Sequence, residues 1–252
     1  MRKIVIANQK GGVGKTTTAV NIAAGLSLAG CKTLLVDMDP QANATFAVMG
    51  PRQFENTIYD VVINNLPTQE AIVSTPQENL YLLPSTIDLA GAEVELVSKV
   101  GGQTRLRNKL KDLIDEGYDF LVIDAPPSLG FLTINALAAA SEVLIPVSTS
   151  IFALNGIQML ESTIEQVQVE LNVSELHVSG VLVTFHDNTN VAKDVFDEVK
   201  THFKDKVFST VVPKNVKLEE AHSRTESIFT YDPNSKGAEA YKQLVQEVMS
   251  RG

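Results

Sequence analysis

Short apolar runs rich in β-branched residues alternate along the chain with longer amphipathic stretches of helical period. Seven runs have this character: KIVIAN, KTLLVDMD, NLYLLPS, YDFLVIDAPP, SEVLIPVS, VSGVLVTF and KVFSTVVP. Strands that are apolar along their whole length and separated by helices are typical of a parallel sheet covered on both faces, with right-handed crossovers. The pattern therefore predicts an α/β fold with a doubly wound, mostly parallel, twisted sheet and helices on both faces.

Composition adds the expectation of one soluble domain over residues 1–252. The chain is 44% hydrophobic and 20% charged, so that it can bury one large core, and no repeat or linker divides it. No apolar run approaches the roughly 18 to 20 residues of a membrane span, and no signal peptide is visible. Cys31 is the only cysteine, which excludes an intrachain disulfide. These features predict a cytoplasmic protein.

The charge of the chain is unevenly distributed. The net charge of −9 argues against indiscriminate adhesion of the whole chain to nucleic acid, but residues 199–218 carry +4 and the remainder −13. The lysines of this basic segment are Lys200, Lys204, Lys206, Lys214 and Lys217. They are candidate contacts to an anionic partner, with an ordinary solvated face as the alternative.

A glycine-rich loop follows the first apolar run. Residues 8–17 read NQKGGVGKTT, which almost matches the phosphate-binding pattern G-x-x-x-x-G-K-[ST], with Gln9 at the first glycine and an additional lysine, Lys10. Glycines let backbone N–H groups surround phosphate oxygens at a helix N-terminus. Lys15 is placed for the β- and γ-phosphates, Thr16 for Mg²⁺, and Thr17 for a neighbouring phosphate.

Acidic residues follow two other apolar runs, at the carboxyl ends where doubly wound sheets bind ligands. Asp124 ends FLVID, as an acid that holds the magnesium shell through water would have to. Asp37 ends TLLVD, and Asp39 follows it on the other side of Met38. Asp37 is a second candidate for the magnesium shell and Asp39 for orienting an attacking water. A capped strand exit is the alternative for this pair.

These motifs together resemble the ParA/Soj family of deviant-Walker partition ATPases, which have a P-loop NTPase fold. The matching stretches are KGGVGKTT, LLVDMDPQANAT, LLPSTIDLAGAE, YDFLVIDAPPSLGFLTINAL and YDPNSKGAEAY, and the match covers nearly the whole chain. The resemblance implies that ATP and Mg²⁺ are the cofactors, that Asp39 activates water and that Asp124 serves the metal. It also implies nucleotide contacts from Lys10, Gly11, Gly12, Val13, Gly14, Lys15, Thr16 and Thr17.

The resemblance gives the second lysine a role across a dimer interface. Lys15 would serve the nucleotide of its own subunit, and Lys10 would reach the nucleotide of the partner, so that a homodimer sandwiches two ATP molecules. The alternative for Lys10 is a solvated lysine in a flexible turn. Hydrolysis is expected to be slow, since no histidine or glutamate lies near Asp39 in the sequence.

The family resemblance also implies the partners. We expect nonspecific double-stranded DNA contacted by the lysines of the basic segment, a ParB-like or other cargo adaptor that stimulates hydrolysis, and a nucleoid-associated location. One departure weakens the DNA expectation: Asn188 stands in HDNTN, where the family often has an arginine. The cargo, whether chromosome, plasmid or another large assembly, is not encoded in these motifs.

Three other classes of protein are alternatives. A MinD-like membrane-associated ATPase would use a C-terminal amphipathic helix, but the last helical stretch has no basic polar face, and we expect it to pack on the core. A reductase with a cluster shared between subunits would need about two cysteines in each chain. A small-molecule kinase would have no use for Lys10, and a product assay would identify it.

Overall fold

In the part of the chain that the structure describes, the sheet has eight strands, and seven of them correspond to the seven predicted runs. The computed structural model describes residues 1–149, 153–187 and 189–251, with the backbone alone at residues 153–155. The strands are β1 (Arg2–Ile6), β2 (Thr33–Asp37), β3 (Val73–Ser74), β4 (Leu80–Leu83), β5 (Phe120–Asp124), β6 (Glu142–Ser148), β7 (His177–His186) and β8 (Val207–Pro213). Only the two-residue β3 has no counterpart in the prediction.

Helices connect the strands at nearly every step. They are α1 (Lys15–Leu28), α2 (Asn43–Met49), α3 (Ile58–Val62), α4 (Thr68–Ala71), α5 (Leu89–Ser98), α6 (Arg105–Leu110), α7 (Phe131–Ala139), α8 (Ala153–Glu170), α9 (Asn190–Phe203), α10 (Val216–Ser223), α11 (Ile228–Tyr231) and α12 (Lys236–Ser250). Short 3-10 turns lie at Gly102–Thr104, Lys111–Glu116 and Lys204–Lys206.

The strand order is β3-β4-β2-β5-β1-β6-β7-β8. All neighbouring pairs are parallel except β3 and β4. The chain leaves β1 toward one side of the sheet to form β2 and returns to the other side of β1 to form β6. The carboxyl end of β1 is therefore a point where the winding reverses, which is where open α/β sheets bind ligands. The predicted doubly wound fold is confirmed.

Alternation along each strand builds a core on both faces of the sheet. In β1, Ile4 and Ile6 join the cluster under α1 and α12, whereas Val5 joins the cluster under α5, α7 and α8. All three side chains are buried, and burying a side chain of this size contributes about 1.5–3 kcal/mol. The position of the first loop is thus fixed by a strand that is buried on both sides.

The C-terminal helix α12 packs on this core. Its apolar residues Tyr241, Leu244, Val245 and Val248 are buried, and the Tyr241 hydroxyl lies 3.1 Å from Thr18 Oγ1 in α1. The prediction that this helix serves the core is confirmed. Among the described residues, no helix has the length and apolar character needed to cross a membrane.

Candidate functional site

The glycine-rich loop has the backbone conformation that its glycines permit. Gly12 and Gly14 have φ values of 71° and 83°, in the left-handed region that side chains disfavour. Gly14 is the N-cap of α1, and its carbonyl accepts from Thr18 N at 2.9 Å. Because glycine has no capping side chain and the first turn contains no acid, the amides at the start of α1 are left for an anion.

Two residues that sequence reasoning did not single out hold this loop in place. The buried side chain of Asn8 donates from Nδ2 to Pro146 O at 2.7 Å and accepts from Lys10 N at 2.9 Å. On the other side, Thr184 Oγ1 donates to Val13 O at 2.9 Å. The loop is therefore tied to the carboxyl ends of β6 and β7. The signal for Asn8 was its position directly after an apolar run.

The two lysines of the loop have different surroundings. Lys15 is 7% exposed, and its Nζ donates to Lys10 O at 3.1 Å. Burial lowers the pKa of Lys15, and the negative charges of Asp124 and Asp39 act in the opposite direction. Lys15 thus lies within the field of both acids. The side chain of Lys10 is exposed, so that its role across an interface stays a prediction.

Asp124 is a buried carboxylate without hydrogen bonds. It is 0% exposed, and neither Oδ1 nor Oδ2 has a hydrogen-bond partner among the residues that the structure describes. Burial raises the pKa of Asp124 well above its usual range and the charge of Asp37 adds to the rise, while the Thr16 hydroxyl and the Lys15 ammonium oppose it. An unpaired buried carboxylate is costly, and a bound cation or its water shell would supply the missing partners.

The residues around Asp124 fit magnesium. Carboxylate and hydroxyl oxygens are the ligands that Mg²⁺ prefers, and it usually keeps several waters and substrate phosphates in its shell. Thr16 and Asp124 supply such oxygens next to the anion-binding loop. Within the ranges that the structure describes, no group of three or more His, Cys, Asp or Glu side chains could hold a metal by itself. The arrangement therefore suits a metal that arrives with a nucleotide.

Asp37 is also fully buried, but its carboxylate is fully engaged. Oδ1 accepts from Asp39 N at 3.1 Å, and Oδ2 accepts from Thr45 N and Thr45 Oγ1, both at 2.8 Å. Burial raises the pKa of Asp37 to about 6, and the bonds from Thr45 limit that rise. Asp37 thus fixes the start of α2. Its place in the metal shell stays a prediction, and Asp124 has the uncommitted oxygens.

Asp39 lies in the loop after β2, which β4 helps to hold. It is 7% exposed, and its Oδ1 accepts from Gln41 N at 2.9 Å. Ser85 Oγ donates to Asp39 O at 2.8 Å, and Ser85 N donates to Thr45 Oγ1 at 2.9 Å. Sequence reasoning quoted the stretches that contain Thr45 and Ser85 without giving either a task. The role of Asp39 in activating water stays a prediction.

The lysines of the basic segment lie at opposite ends of strand β8, some at its amino end and others at its carboxyl end. Lys214 follows the carboxyl end of β8, and Lys217 lies in α10 directly after it. Lys204 and Lys206 precede β8, which spans seven residues or roughly 20 Å. Lys200, in the last turn of α9, belongs with them. Only the first pair lies on the side of the glycine-rich loop.

Lys217 is engaged within the chain. Its Nζ lies 2.8 Å from Glu220 Oε2, which also accepts from Tyr231 OH at 2.9 Å. This pair raises the pKa of Lys217 and lowers that of Glu220. The backbone of Lys214 donates to His186 O at 3.1 Å, which joins the exits of β7 and β8. Asn188, the departure noted in the sequence, lies outside the described residues.

The winding of the sheet and the loop between β1 and α1 define the class of P-loop nucleoside triphosphatases. The chain matches the AAA domain family over residues 1–178. It is 47% identical to the sporulation initiation inhibitor protein Soj of Bacillus subtilis, over 99% of this chain and 98% of that one. It is 48% identical to the chromosome partitioning protein ParA of Myxococcus xanthus, over 99% and 88%. The chain belongs to the ParA/Soj family of partition ATPases.

A solved structure extends the similarity to the whole fold. The cobyrinic acid a,c-diamide synthase of Mycobacterium smegmatis, with bound ADP and magnesium, superposes with a TM-score of 0.86 and 33% identity. The alignment covers 99% of this chain and 94% of that one. The activity named for the partition relatives makes this chain an ATPase, as the sequence predicted.

Proposed function

We propose that this ATPase is a nucleotide-dependent switch that pairs on ATP, binds DNA without regard to sequence, and is reset by hydrolysis. The observation that carries the proposal is the buried Asp124 carboxylate, which has no hydrogen-bond partner and lies in the field of Lys15 and Thr16. A site of this kind is incomplete until a cation with its phosphate ligand binds. We further propose that residues 1–252 act as one domain, because β1 lies inside the same sheet as β8.

In the proposed ATP complex, the chain binds phosphates through the amides at the start of α1, the loop residues 11–14 and the Lys15 ammonium. Thr16 and Asp124 hold Mg²⁺, and Asp37 is a further candidate for its outer shell. The metal, when bound, neutralises charge on the phosphate oxygens. Support comes from the Mycobacterium smegmatis structure, which contains ADP and magnesium.

For hydrolysis, we assign to Asp39 the task of orienting the attacking water. Ser85 donates a hydrogen bond to the backbone carbonyl of Asp39, and the carboxylate of Asp39 accepts one from the backbone amide of Gln41. These bonds hold the carboxylate at the exit of β2, close to Lys15. Positioning of water by a single carboxylate, without a second base, accounts for slow turnover. A cargo-bound, ParB-like adaptor would supply the missing acceleration.

The proposed dimer brings two such sites together. Lys10 is exposed at the mouth of its own site, where a two-fold partner would place it against the opposite nucleotide, as an arginine finger acts in trans. Charge from the partner then stabilises the bound ATP. ATP thus favours pairing, and hydrolysis releases it.

DNA binding in this proposal uses Lys214 and Lys217, because they lie at the carboxyl ends of the strands, where the nucleotide binds. Two-fold pairing gives two such pairs on one body, so that the second engages DNA at a high effective concentration. The other three lysines of the segment would contribute only if DNA also reached the amino ends of the strands. They are Lys200, Lys204 and Lys206. Binding of this kind places the protein in the cytoplasm on the nucleoid.

The test is retention of random duplex DNA on a filter, with ATP, with ADP and without nucleotide, over a series of salt concentrations. We expect retention with ATP only and a steep fall as salt rises. Lys214→Glu with Lys217→Glu should abolish retention, whereas the matched pair Lys204→Glu with Lys206→Glu should retain DNA. No retention by the parent with any nucleotide would refute the DNA-binding function. Equal retention by both double variants would refute the proposal that Lys214 and Lys217 form the DNA-binding surface.

A further inference from the structure

One short segment contacts the loop that carries Asp39 at one end and the helix that follows the loop after Asp124 at the other. It runs from Ser85, at the exit of β4, to Glu93 in α5. At its first residue, Ser85 Oγ donates to Asp39 O at 2.8 Å and Ser85 N donates to Thr45 Oγ1 at 2.9 Å. Thr45 in turn binds Asp37. This end of the segment therefore holds the loop that follows β2.

The other end holds the helix that follows β5. Glu93 Oε2 accepts from Phe131 N at 2.8 Å, and Glu93 Oε1 accepts from Leu132 N at 3.3 Å. These are the first two amides of α7, where the helix dipole also favours a negative charge. The preceding residue, Gly130, has no side chain that could cap the helix, so that Glu93 supplies the cap from a different element.

Gly130 leaves the space that this contact requires. Its φ of −80° suits any residue, so that the backbone does not demand glycine. A Cβ at position 130 would, however, lie 2.7 Å from both carboxylate oxygens of Glu93, closer than real contacts allow. The absence of a side chain at Gly130 and the presence of the acid at position 93 are thus two parts of one contact.

The start of α7 is joined to Asp124 by a short loop, residues 125–130. Thr133 Oγ1 donates to Ser128 O at 2.7 Å, which fastens this loop to the first turn of the helix. Asp124 itself has no hydrogen bond to its carboxylate. The orientation of that carboxylate therefore depends on β5 on one side and on the fastened loop on the other.

We propose that Glu93 is a positioning residue for ATP hydrolysis: through the first turn of α7 it fixes the loop that follows Asp124. The sheet joins the two loops where they begin, since Met38 N donates to Asp124 O at 2.9 Å. Ser85 and Glu93 belong to one continuous segment and add a second connection further along, between the loop of Asp39 and the helix that ends the loop of Asp124. This inference rests on the roles proposed above for Asp39 and Asp124. Neither acid is touched by Glu93, which acts through backbone amides alone.

The experiment compares Glu93→Ala, Glu93→Gln and the matched control Glu95→Gln. The control removes a charge two residues away in the same helix, and its amide oxygen can still accept from Tyr59 OH, which lies 2.9 Å from Glu95 Oε1. We expect Glu93→Ala to lower kcat for Mg·ATP hydrolysis about tenfold, as loss of an outer-shell contact does, with KM within about twofold of the parent. Glu93→Gln should give an intermediate kcat, because its amide oxygen accepts only one of the two bonds. Glu95→Gln should match the parent.

Hydrogen exchange without nucleotide gives a readout that does not depend on turnover. The amides of Phe131 and Leu132 should exchange faster in Glu93→Ala than in the parent and in Glu95→Gln. Gly130→Ala should reproduce the effect of Glu93→Ala, since the new Cβ displaces the carboxylate. The double variant Gly130→Ala with Glu93→Ala should be no worse than either single one, because removal of the carboxylate makes room for the Cβ.

The outcomes separate this inference from the proposed function. Parent-like kcat, or unchanged exchange at Phe131 and Leu132, in Glu93→Ala would overturn it. A fall in kcat accompanied by a raised KM and a lower urea midpoint would mean a merely structural contact and would overturn it too. Asp39→Ala is measured in parallel: parent-like turnover there would refute the role proposed for Asp39, whereas loss there with full activity in Glu93→Ala would refute the positioning role alone.

Discussion

Asp37 and Asp124 are register partners at the carboxyl ends of the neighbouring strands β2 and β5, yet their carboxylates have opposite surroundings. The Asp37 carboxylate accepts three hydrogen bonds, two of them from Thr45, whereas the Asp124 carboxylate accepts none from the described residues. Both side chains are fully buried. The two acids therefore have different roles. Asp37 holds the adjacent loop in place, whereas the oxygens of Asp124 remain available to a ligand.

The first prediction concerns the stability of the nucleotide-free protein. Asp124→Asn removes a buried charge whose desolvation outweighs the opposing effects of Lys15 and Thr16, so that the free energy of unfolding at pH 7 should rise by about 1–3 kcal/mol. The pKa of Asp124 is raised in the fold, which means that the folded chain binds its proton more readily than the unfolded chain. The cost of the charge is therefore present at high pH and disappears as the pH falls.

Urea unfolding of Asp124→Asn and the parent, measured from neutral to acidic pH, checks this. The stability gain should shrink as the pH is lowered, because the parent carboxyl becomes protonated. Asp115→Asn, at an exposed position, is the control and should change little. A destabilised Asp124→Asn at pH 7 would mean that attraction to Lys15 outweighs the cost of burying the Asp124 charge.

The second prediction concerns affinity for ATP. Lys15→Ala deletes a charge-assisted contact to the phosphates in a site built around anions, and should lower ATP affinity by about 10- to 100-fold. Calorimetric titration measures the loss. The control is Lys32→Ala: this lysine lies 4.4 Å from the ring centre of Tyr118 and near the amino end of β2, away from the loop. Near-parent affinity in Lys15→Ala would mean that the site is misplaced.

The third prediction separates the second lysine from the first. Lys10→Ala should bind ATP nearly as the monomeric parent does, because its side chain is exposed and Lys15 retains the contacts within the subunit. ATP-induced pairing and hydrolysis should both be impaired. Light scattering with a slowly hydrolysed ATP analogue measures pairing. A variant that pairs and turns over like the parent would exclude the role across the interface.

The fourth prediction concerns the ion pair of Lys217 with Glu220. DNA phosphates must compete with Glu220 for the Lys217 ammonium, which lies 2.8 Å from the carboxylate. Glu220→Gln should therefore increase ATP-dependent DNA retention about two- to fivefold, the range for releasing an exposed ion pair. Glu226→Gln removes the same charge at an exposed position outside this pair. Equal gains in DNA retention by the two variants would mean that net charge, and not release of Lys217 from Glu220, causes the increase.

The sheet and the first loop could be predicted from the sequence because their signals are local. Apolar runs gave seven strands, and the order of strand, glycines, lysine and threonine placed the phosphate loop. The strand β3 was missed, since a two-residue antiparallel pair at an edge leaves no periodicity to detect. Local pattern thus sufficed where a single element determines the outcome.

The electrostatic differences within the site could not be predicted, because they depend on contacts between distant parts of the chain. Asp37 and Asp124 look alike at the ends of TLLVD and FLVID, and they are distinguished by the hydrogen bonds that Asp37 accepts from Thr45 and from Asp39 N. The lysines of the basic segment are close in sequence, but β8 separates Lys206 from Lys214. Spacing along the chain is a poor guide to distance wherever a strand intervenes.

The contact between Gly130 and Glu93 has an evolutionary consequence. A side chain at position 130 would force the Glu93 carboxylate to move away from the amides that it caps, although the backbone there would tolerate any residue. Loss of the acid alone is expected to be costly as well, because it removes the cap of α7. Either single change thus weakens the site, and neither order of the two changes avoids that cost. We expect descendants of this chain to keep both residues or to replace both, with few intermediates.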